Sequence, residues 1–331
     1  MITAGDVAHV ASATGFRADI VEKVLRLHGI LRRLDEHELT HGTWLLKGGT
    51  ALNLLHLDVP RLSVDIDVNY VGAHDVEDMR RARPEFERVL TSCCAREGCD
   101  VRRTPSEHAG GKFRLRYPSV VGGSQNLEVD VSYVARVPLW GGMRYRVRFP
   151  PESSLEVPTL TIEELAAGKF AALVQRSVAR DAFDAANLLT LMPDLLKRPE
   201  FRTAFICFVA GSRTDPRHLQ RPEILPSDRT IEQDLEPLLR RDLEGSRRTS
   251  DDLRDWIAHT VEPVLDPLLE WSSRERQFLD QLLDNGEVAP ALLDDDAGVQ
   301  ERIRRQPMLN WKALNVRKRG QPGVGPGVEP G

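Results

Sequence analysis

Two aspartates one residue apart, Asp65 and Asp67, lie in the run RLSVDIDV at residues 61–68. In an extended chain alternate side chains share a face, so Ser63, Asp65 and Asp67 project together while Val64, Ile66 and Val68 project the other way. Neighbouring carboxylates repel by roughly 4 kcal/mol at an effective dielectric near 20, which asks for a cation between them. Short, hard oxygen donors suit Mg²⁺ or Mn²⁺, and Mg²⁺ keeps several waters and shares its shell with substrate phosphates. A second run repeats the alternation, with Leu127, Val129 and Val131 on one side and Glu128, Asp130 and Ser132 on the other. If the two runs are neighbouring strands, Asp130 supplies a third carboxylate, as a metal ligand or as a general base. Three carboxylates would permit a two-metal, in-line displacement on a nucleoside triphosphate.

Upstream stands KGGTALNLL at residues 47–55. Two glycines between a strand and a helix let the backbone come close to a phosphate, and free amides at a helix start favour an anion. Lys47, Gly48, Gly49 and Thr50 are therefore candidates for holding the triphosphate, Thr50 through its hydroxyl. The run is not a Walker loop, and no dinucleotide fingerprint occurs.

The order KGGTALNLL, then RLSVDIDV, then a late block with Lys169, Arg176 and the run RDAFD at residues 180–184, resembles the AbiEii/AbiGii toxin nucleotidyltransferases. These belong to bacterial abortive-infection and toxin–antitoxin systems of the type IV kind, include the mycobacterial MenT toxins, and share the polymerase β nucleotidyltransferase fold. The resemblance covers roughly residues 40–190. It implies that Gly48, Gly49 and Ser63 border the triphosphate, that Asp65 and Asp67 bind metal, that Lys169 holds nucleotide phosphates and that Asp184 is functionally required. Arg176 and Arg180 are counted with the nucleotide, although for them a structural role is equally open. For Asp184 an ion pair with Arg180 or Lys169 is as open as contact with the nucleotide. On one unbroken helix Lys169, Arg176 and Arg180 would fall nearly on a line.

These residues need elements to carry them. Residues 17–39 have the apolar period of an amphipathic helix. Residues 43–46 and 64–71 read as strands, with helix over 50–57 after the glycines. A further helix is expected over 75–97, with a possible interruption at Pro84, and strands over 101–104, 112–117 and 127–134. Beyond Pro158 the pattern turns helical, opened by a capping box of Thr161 with Glu164. The expected fold is α+β: a polymerase β-like nucleotidyltransferase domain with a mixed sheet over 1–158, then a helical domain over 159–312 that contributes Lys169 and Asp184. The glycine- and proline-rich stretch makes 313–331 a disordered tail.

At 331 residues, with 41% hydrophobic and 29% charged, the chain is composed like a globular protein of more than one domain. Its four cysteines form no C-x-x-C pair, so neither a disulfide frame nor a zinc knuckle is expected. No apolar stretch approaches about 18 residues and the N-terminus lacks a leader pattern, which points to the cytoplasm and away from membranes. The formal charge of −5 argues against an indiscriminate polyanion binder, yet arginines cluster at residues 80–88, 102–116 and 144–148. A zinc hydrolase and a serine hydrolase have little support. The reading is a metal-dependent transferase that moves nucleotides from a triphosphate to an acceptor hydroxyl. The resemblance implies RNA, and tRNA 3′ ends in particular, together with an antitoxin encoded nearby. A protein or small-molecule acceptor, or a noncatalytic nucleotide-binding protein, remains the alternative.

Overall fold

The computed structural model describes residues 2–104, 110–176, 178–240 and 249–319. The chain divides into two compact units. The first comprises Met1–Tyr133, Gly142–Leu160 and Ser227–Asp251, and the second Val134–Gly141, Thr161–Pro226 and Asp252–Gly331.

The first unit holds, among the described residues, one sheet of seven strands. They are β1 (Trp44–Lys47), β2 (Ile66–Tyr70), β3 (Asp100–Thr104), β4 (Gly110–Pro118), β5 (Ser124–Ser132), β6 (Gly142–Arg146) and β7 (Glu156–Leu160), in the order β3-β4-β5-β2-β1-β7-β6. The sheet is mixed: β2 runs antiparallel to β1 and parallel to β5, and β1 runs parallel to β7. Helices α1 (Ala4–Thr14), α2 (Ala18–Glu36), α3 (Gly48–Ala51) and α4 (Val76–Arg96) complete most of this unit. Strands β4 and β5 alternate buried and open positions residue by residue, so Phe113, Leu115, Tyr117, Leu127, Val129 and Val131 form one apolar face. Helix α4 covers it through Phe86, whose ring meets Tyr70 at 5.2 Å and Tyr133 at 6.4 Å. Helix α2 adds Arg26, 4.1 Å above the Tyr117 ring. The opposite face of these strands is polar.

Several sequence expectations need correction. The strand expected over 64–71 begins only at Ile66, which leaves Asp65 just ahead of the ladder. Helix α4 runs through Pro84, which is exposed, so the carbonyl that loses its donor can turn to water. The units change between Leu160 and Thr161, two residues beyond the expected boundary at 158, and Pro158 itself sits within β7 opposite Arg144. Strands β6 and β7 carried no periodic signal strong enough to be expected.

The second unit is helical. It includes α5 (Ile162–Gln175), α6 (Ala179–Leu191) and α7 (Pro199–Ala210), then helices Ser273–Asn285, Ala297–Arg304 and Pro307–Arg319, and most of Ser250–Leu269. The last helix contradicts the expected disordered tail from residue 313. It continues to Arg319, with Leu309 and Ala313 buried, and residues 320–331 lie outside the described residues.

Thr161 caps α5 as expected by accepting from the Glu164 amide, but the Glu164 carboxylate does not return to the cap. It accepts instead from the amides of Leu139 at 2.9 Å and Trp140 at 3.1 Å. Burial pushes this carboxyl up to about 7, outweighing the two amides. A carboxyl raised from 4.5 stabilises the folded state fully below pH 4.5, and that contribution disappears as pH rises through 7. The expected result is a melting temperature that falls across this window, by the equivalent of roughly 3 kcal/mol. In Glu164→Gln the same stretch of the melting-temperature profile should be flatter, and an unchanged slope would refute the assignment.

Candidate active site

The register brings the acidic runs together. Asp67 of β2 pairs with Asp130 of β5 on one side and with Lys47 of β1 on the other, and Asp130 pairs in turn with Lys112 of β4. Residues paired directly across strands face the same way, so Lys112, Asp130, Asp67 and Lys47 form a row across four strands on the polar face. Lys112 was not singled out in the sequence, although its place in the alternation of residues 112–117 puts it on this face. Its ammonium donates to Glu128 at 2.7 Å, and that bond, supported by the charge of Asp130, holds it above the usual lysine range.

The glycine turn is built against this row. Lys47 ends β1, and Gly48 opens α3 with φ of +72°, a left-handed conformation that favours glycine. A β-carbon on Gly48 would stand 2.5 Å from Oδ2 of Asp67 and 3.2 Å from its Cβ and Cγ. Gly48→Ala should therefore cost about 1–2 kcal/mol from the backbone alone. It should also displace the Asp67 carboxylate, so activity should fall further than the melting temperature implies. Equal activity per folded molecule would count against this contact.

The helix expected over 50–57 is short. Helix α3 ends at Ala51 and the chain widens into a π-turn over Leu52–His56. Asn53, buried, donates to the Gly49 carbonyl at 2.9 Å and braces the turn. Thr50 is placed differently from expectation: it is buried and its hydroxyl donates to the backbone carbonyl of Asp65. It positions the chain at Asp65 instead of offering a hydroxyl to a phosphate. Ser63 is buried in the approach to β2, and that approach is anchored where the Leu62 amide donates to Leu238 at 2.9 Å.

No group of three metal-capable side chains gathers closely enough to hold an ion among the described residues. Asp65, Asp67 and Asp130, expected as two metal ligands and a conditional third carboxylate, thus do not gather as one group of three. The paired carboxylates of Asp67 and Asp130 fit Mg²⁺, which seldom relies on an all-protein cage. The run HELTH at residues 37–41, passed over in the sequence, has the histidine spacing of zinc enzymes. It lies beyond the end of α2: His37 is extended, and His41 contacts the Asp35 carbonyl at 2.8 Å, so the helical geometry that pairs such histidines is missing.

In the second unit the late block forms its own cluster. Lys169, on α5 and only 9% exposed, reaches Asp181 at 2.8 Å and Asp184 at 3.0 Å. Arg176 joins Asp181 from the other side at 3.2 Å. The expected straight line of Lys169, Arg176 and Arg180 does not exist, because the backbone turns extended at Arg176 and α6 starts afresh at Ala179. On an unbroken helix Asp184 would stand about 22 Å along the axis from Lys169, so the break is what allows the pair to form. Of the roles left open for Asp184, the ion pair with Lys169 is present. Arg180 is half-buried in the first turn of α6. Asp181, which bridges Lys169 and Arg176, was not among the expected site residues, and its signal was its place within the RDAFD run.

Residues 29–271 match the family described as "Nucleotidyl transferase AbiEii toxin, Type IV TA system". The chain belongs to this family. It is a nucleotidyltransferase of the AbiEii toxin group, a family that implies a triphosphate donor and a cognate antitoxin. Among solved structures it is similar to MenT4, a nucleotidyltransferase toxin from Mycobacterium tuberculosis H37Rv, with a TM-score of 0.56 at 17% identity, covering 92% of this chain and 99% of that one. At that identity the likeness speaks for the fold, and it agrees with the expected α+β class. No curated protein matches the sequence. No helix among the described residues is long and apolar enough to cross a membrane.

Proposed function

We propose that this AbiEii-family chain transfers nucleotides from a nucleoside triphosphate to a terminal hydroxyl of RNA, tRNA 3′ ends in particular. It acts in the cytoplasm as the toxin of a type IV-like pair whose antitoxin is encoded nearby. The observation that carries the catalytic part is the row in which Asp67 and Asp130 stand side by side, flanked by Lys47 and abutted by Gly48. The RNA acceptor is supported by the resemblance to MenT toxins.

In this reading Asp65 and Asp67, with Asp130 beside them, would hold Mg²⁺ or Mn²⁺, which would supply positive charge against the triphosphate and the departing pyrophosphate. The backbone at Gly48 and Gly49 lies next to the phosphates, and Lys47 adds positive charge at the end of the row. The acceptor oxygen attacks the α-phosphorus, the bond to pyrophosphate breaks, and Asp130, exposed on β5, takes the hydroxyl proton. Lys169 and Asp184 are counted as required for transfer because they carry the family's late motif, with Lys169 held by Asp181 and Asp184.

Incubating the protein with each of the four labelled nucleoside triphosphates, total RNA and lysate protein tests the proposal. Label on RNA that requires a divalent cation supports it. Label on protein or small molecules would overturn the acceptor, and no transfer to anything would overturn catalysis.

A further inference from the structure

The arginines of the first unit separate by what neutralises them. On α4, Arg80 meets Glu77 at 2.9 Å, Arg88 meets Glu85 at 2.5 Å and Arg81 pairs with Asp78. Arg103 reaches Glu87 at 2.8 Å, Arg144 reaches Asp35 at 2.6 Å and Arg148 reaches Asp58 at 2.8 Å. These arginines are neutralised by carboxylates, whereas Arg146, exposed between Arg144 and Arg148, donates to the Ser153 carbonyl at 2.6 Å.

The polar face of β3 and β4 differs. The register sets Arg102 directly opposite Arg114, and both are exposed. Arg102 has no carboxylate within ion-pair reach among the described residues. Arg114, 66% exposed, shares Glu128 with Lys112, at 3.3 and 2.7 Å. Arg116, one step further along the same face, donates to the Ser124 hydroxyl at 2.9 Å. Like charges set directly opposite on a sheet are destabilising. An edge strand such as β3 gains protection from charge, but one acid and one base would serve as well without the repulsion. The surface is also continuous with the acidic row: Lys112 stands opposite Asp130, and Arg114 lies one diagonal step from Asp130, about 7–8 Å away.

We infer that this face, with Arg102, Lys112, Arg114 and Arg116, is the docking surface for the sugar–phosphate backbone of the RNA acceptor and leads its 3′ end to Asp130. The inference rests on the RNA-acceptor reading above. Guanidinium forks match phosphate oxygens two at a time. Among the described residues the polar positions of β3, β4 and β5 include no aromatic side chain on which a base could stack: they include Asp100 and Arg102, Lys112, Arg114 and Arg116, and Asn126, Glu128 and Asp130. The contacts are therefore to phosphates, which position RNA without reading its sequence.

The test compares Arg102→Gln/Arg114→Gln with Arg80→Gln/Arg81→Gln, a control on α4, after confirming that both melt like the parent. Binding of a fluorescent stem with a 3′ overhang is followed by anisotropy across a salt series. The first variant should bind at least about tenfold more weakly, equally for unrelated sequences, and its log–log salt slope should be shallower by about one to two. Affinity for the triphosphate should be unchanged, and the control should bind RNA like the parent. Parental RNA binding by the first variant, or an equal loss in the control, overturns the docking surface while RNA labelling still supports the acceptor. Label on protein in place of RNA removes both.

Discussion

Asp67→Asn is expected to reduce nucleotide transfer by about a thousandfold or more while leaving the melting temperature within about 3 °C of the parent. Asparagine keeps the shape of the side chain but loses the negative charge that a divalent cation requires. Removing a metal-supported stabilisation of the transferring phosphate costs several kcal/mol of barrier. Asp67 is half-exposed at the polar face, so deleting its charge takes nothing from the apolar core. Transfer measured with labelled triphosphate and melting followed by fluorescence give the two numbers, and growth arrest on expression should vanish with the first. Activity near the parental level would refute the assignment of this row as the catalytic centre.

Lys169→Met is expected to behave in the opposite way, losing about 3–5 kcal/mol of stability. Asp184 is fully buried and Lys169 nearly so, and removing the ammonium leaves two buried carboxylates facing each other. Arg176 stays attached to Asp181, but its side chain is largely exposed. Urea denaturation measures the loss. Adding Asp184→Leu to Lys169→Met should recover part of it, since a buried ion pair is often replaced by apolar groups at little cost. If the single variant unfolds at the parental urea concentration, this cluster does not brace the α5–α6 turn. An inactive Lys169 variant is thus informative about chemistry only when its folded fraction has been measured.

The acidic row was legible because period-two alternation acts locally: the sequence of residues 61–68 and 127–132 alone decides which side chains share a face. That the two faces belong to neighbouring strands was only a condition in the sequence, since register depends on long-range pairing; the structure meets it at Asp67 and Asp130. Failures arose where a distant partner overrides the local pattern. Thr50 turns to the Asp65 carbonyl, and Glu164 leaves its cap for the amides of Leu139 and Trp140. The break after Gln175 carried no glycine or proline to announce it; what accompanies it is the approach of Asp181 and Asp184 to Lys169. Lys112 was missed for a simpler reason: a lone lysine on a strand carries no motif, and only its cross-strand neighbour gives it meaning.

The short stretch Val134–Gly141 leaves the sheet and is held within the helical unit by late partners. The side chain of Arg302 donates to the Leu139 carbonyl, and that of Gln306 to the Val137 carbonyl at 2.5 Å, across 163 and 169 residues. On the ribosome, residues 47, 67 and 130 emerge long before either of those donors. The carboxylate row can therefore assemble on a nascent chain whose second half is unfinished, whereas the stretch beyond Tyr133 first gains Glu164 as a partner for Leu139 and Trp140 and completes its anchoring only once Arg302 and Gln306 have been made.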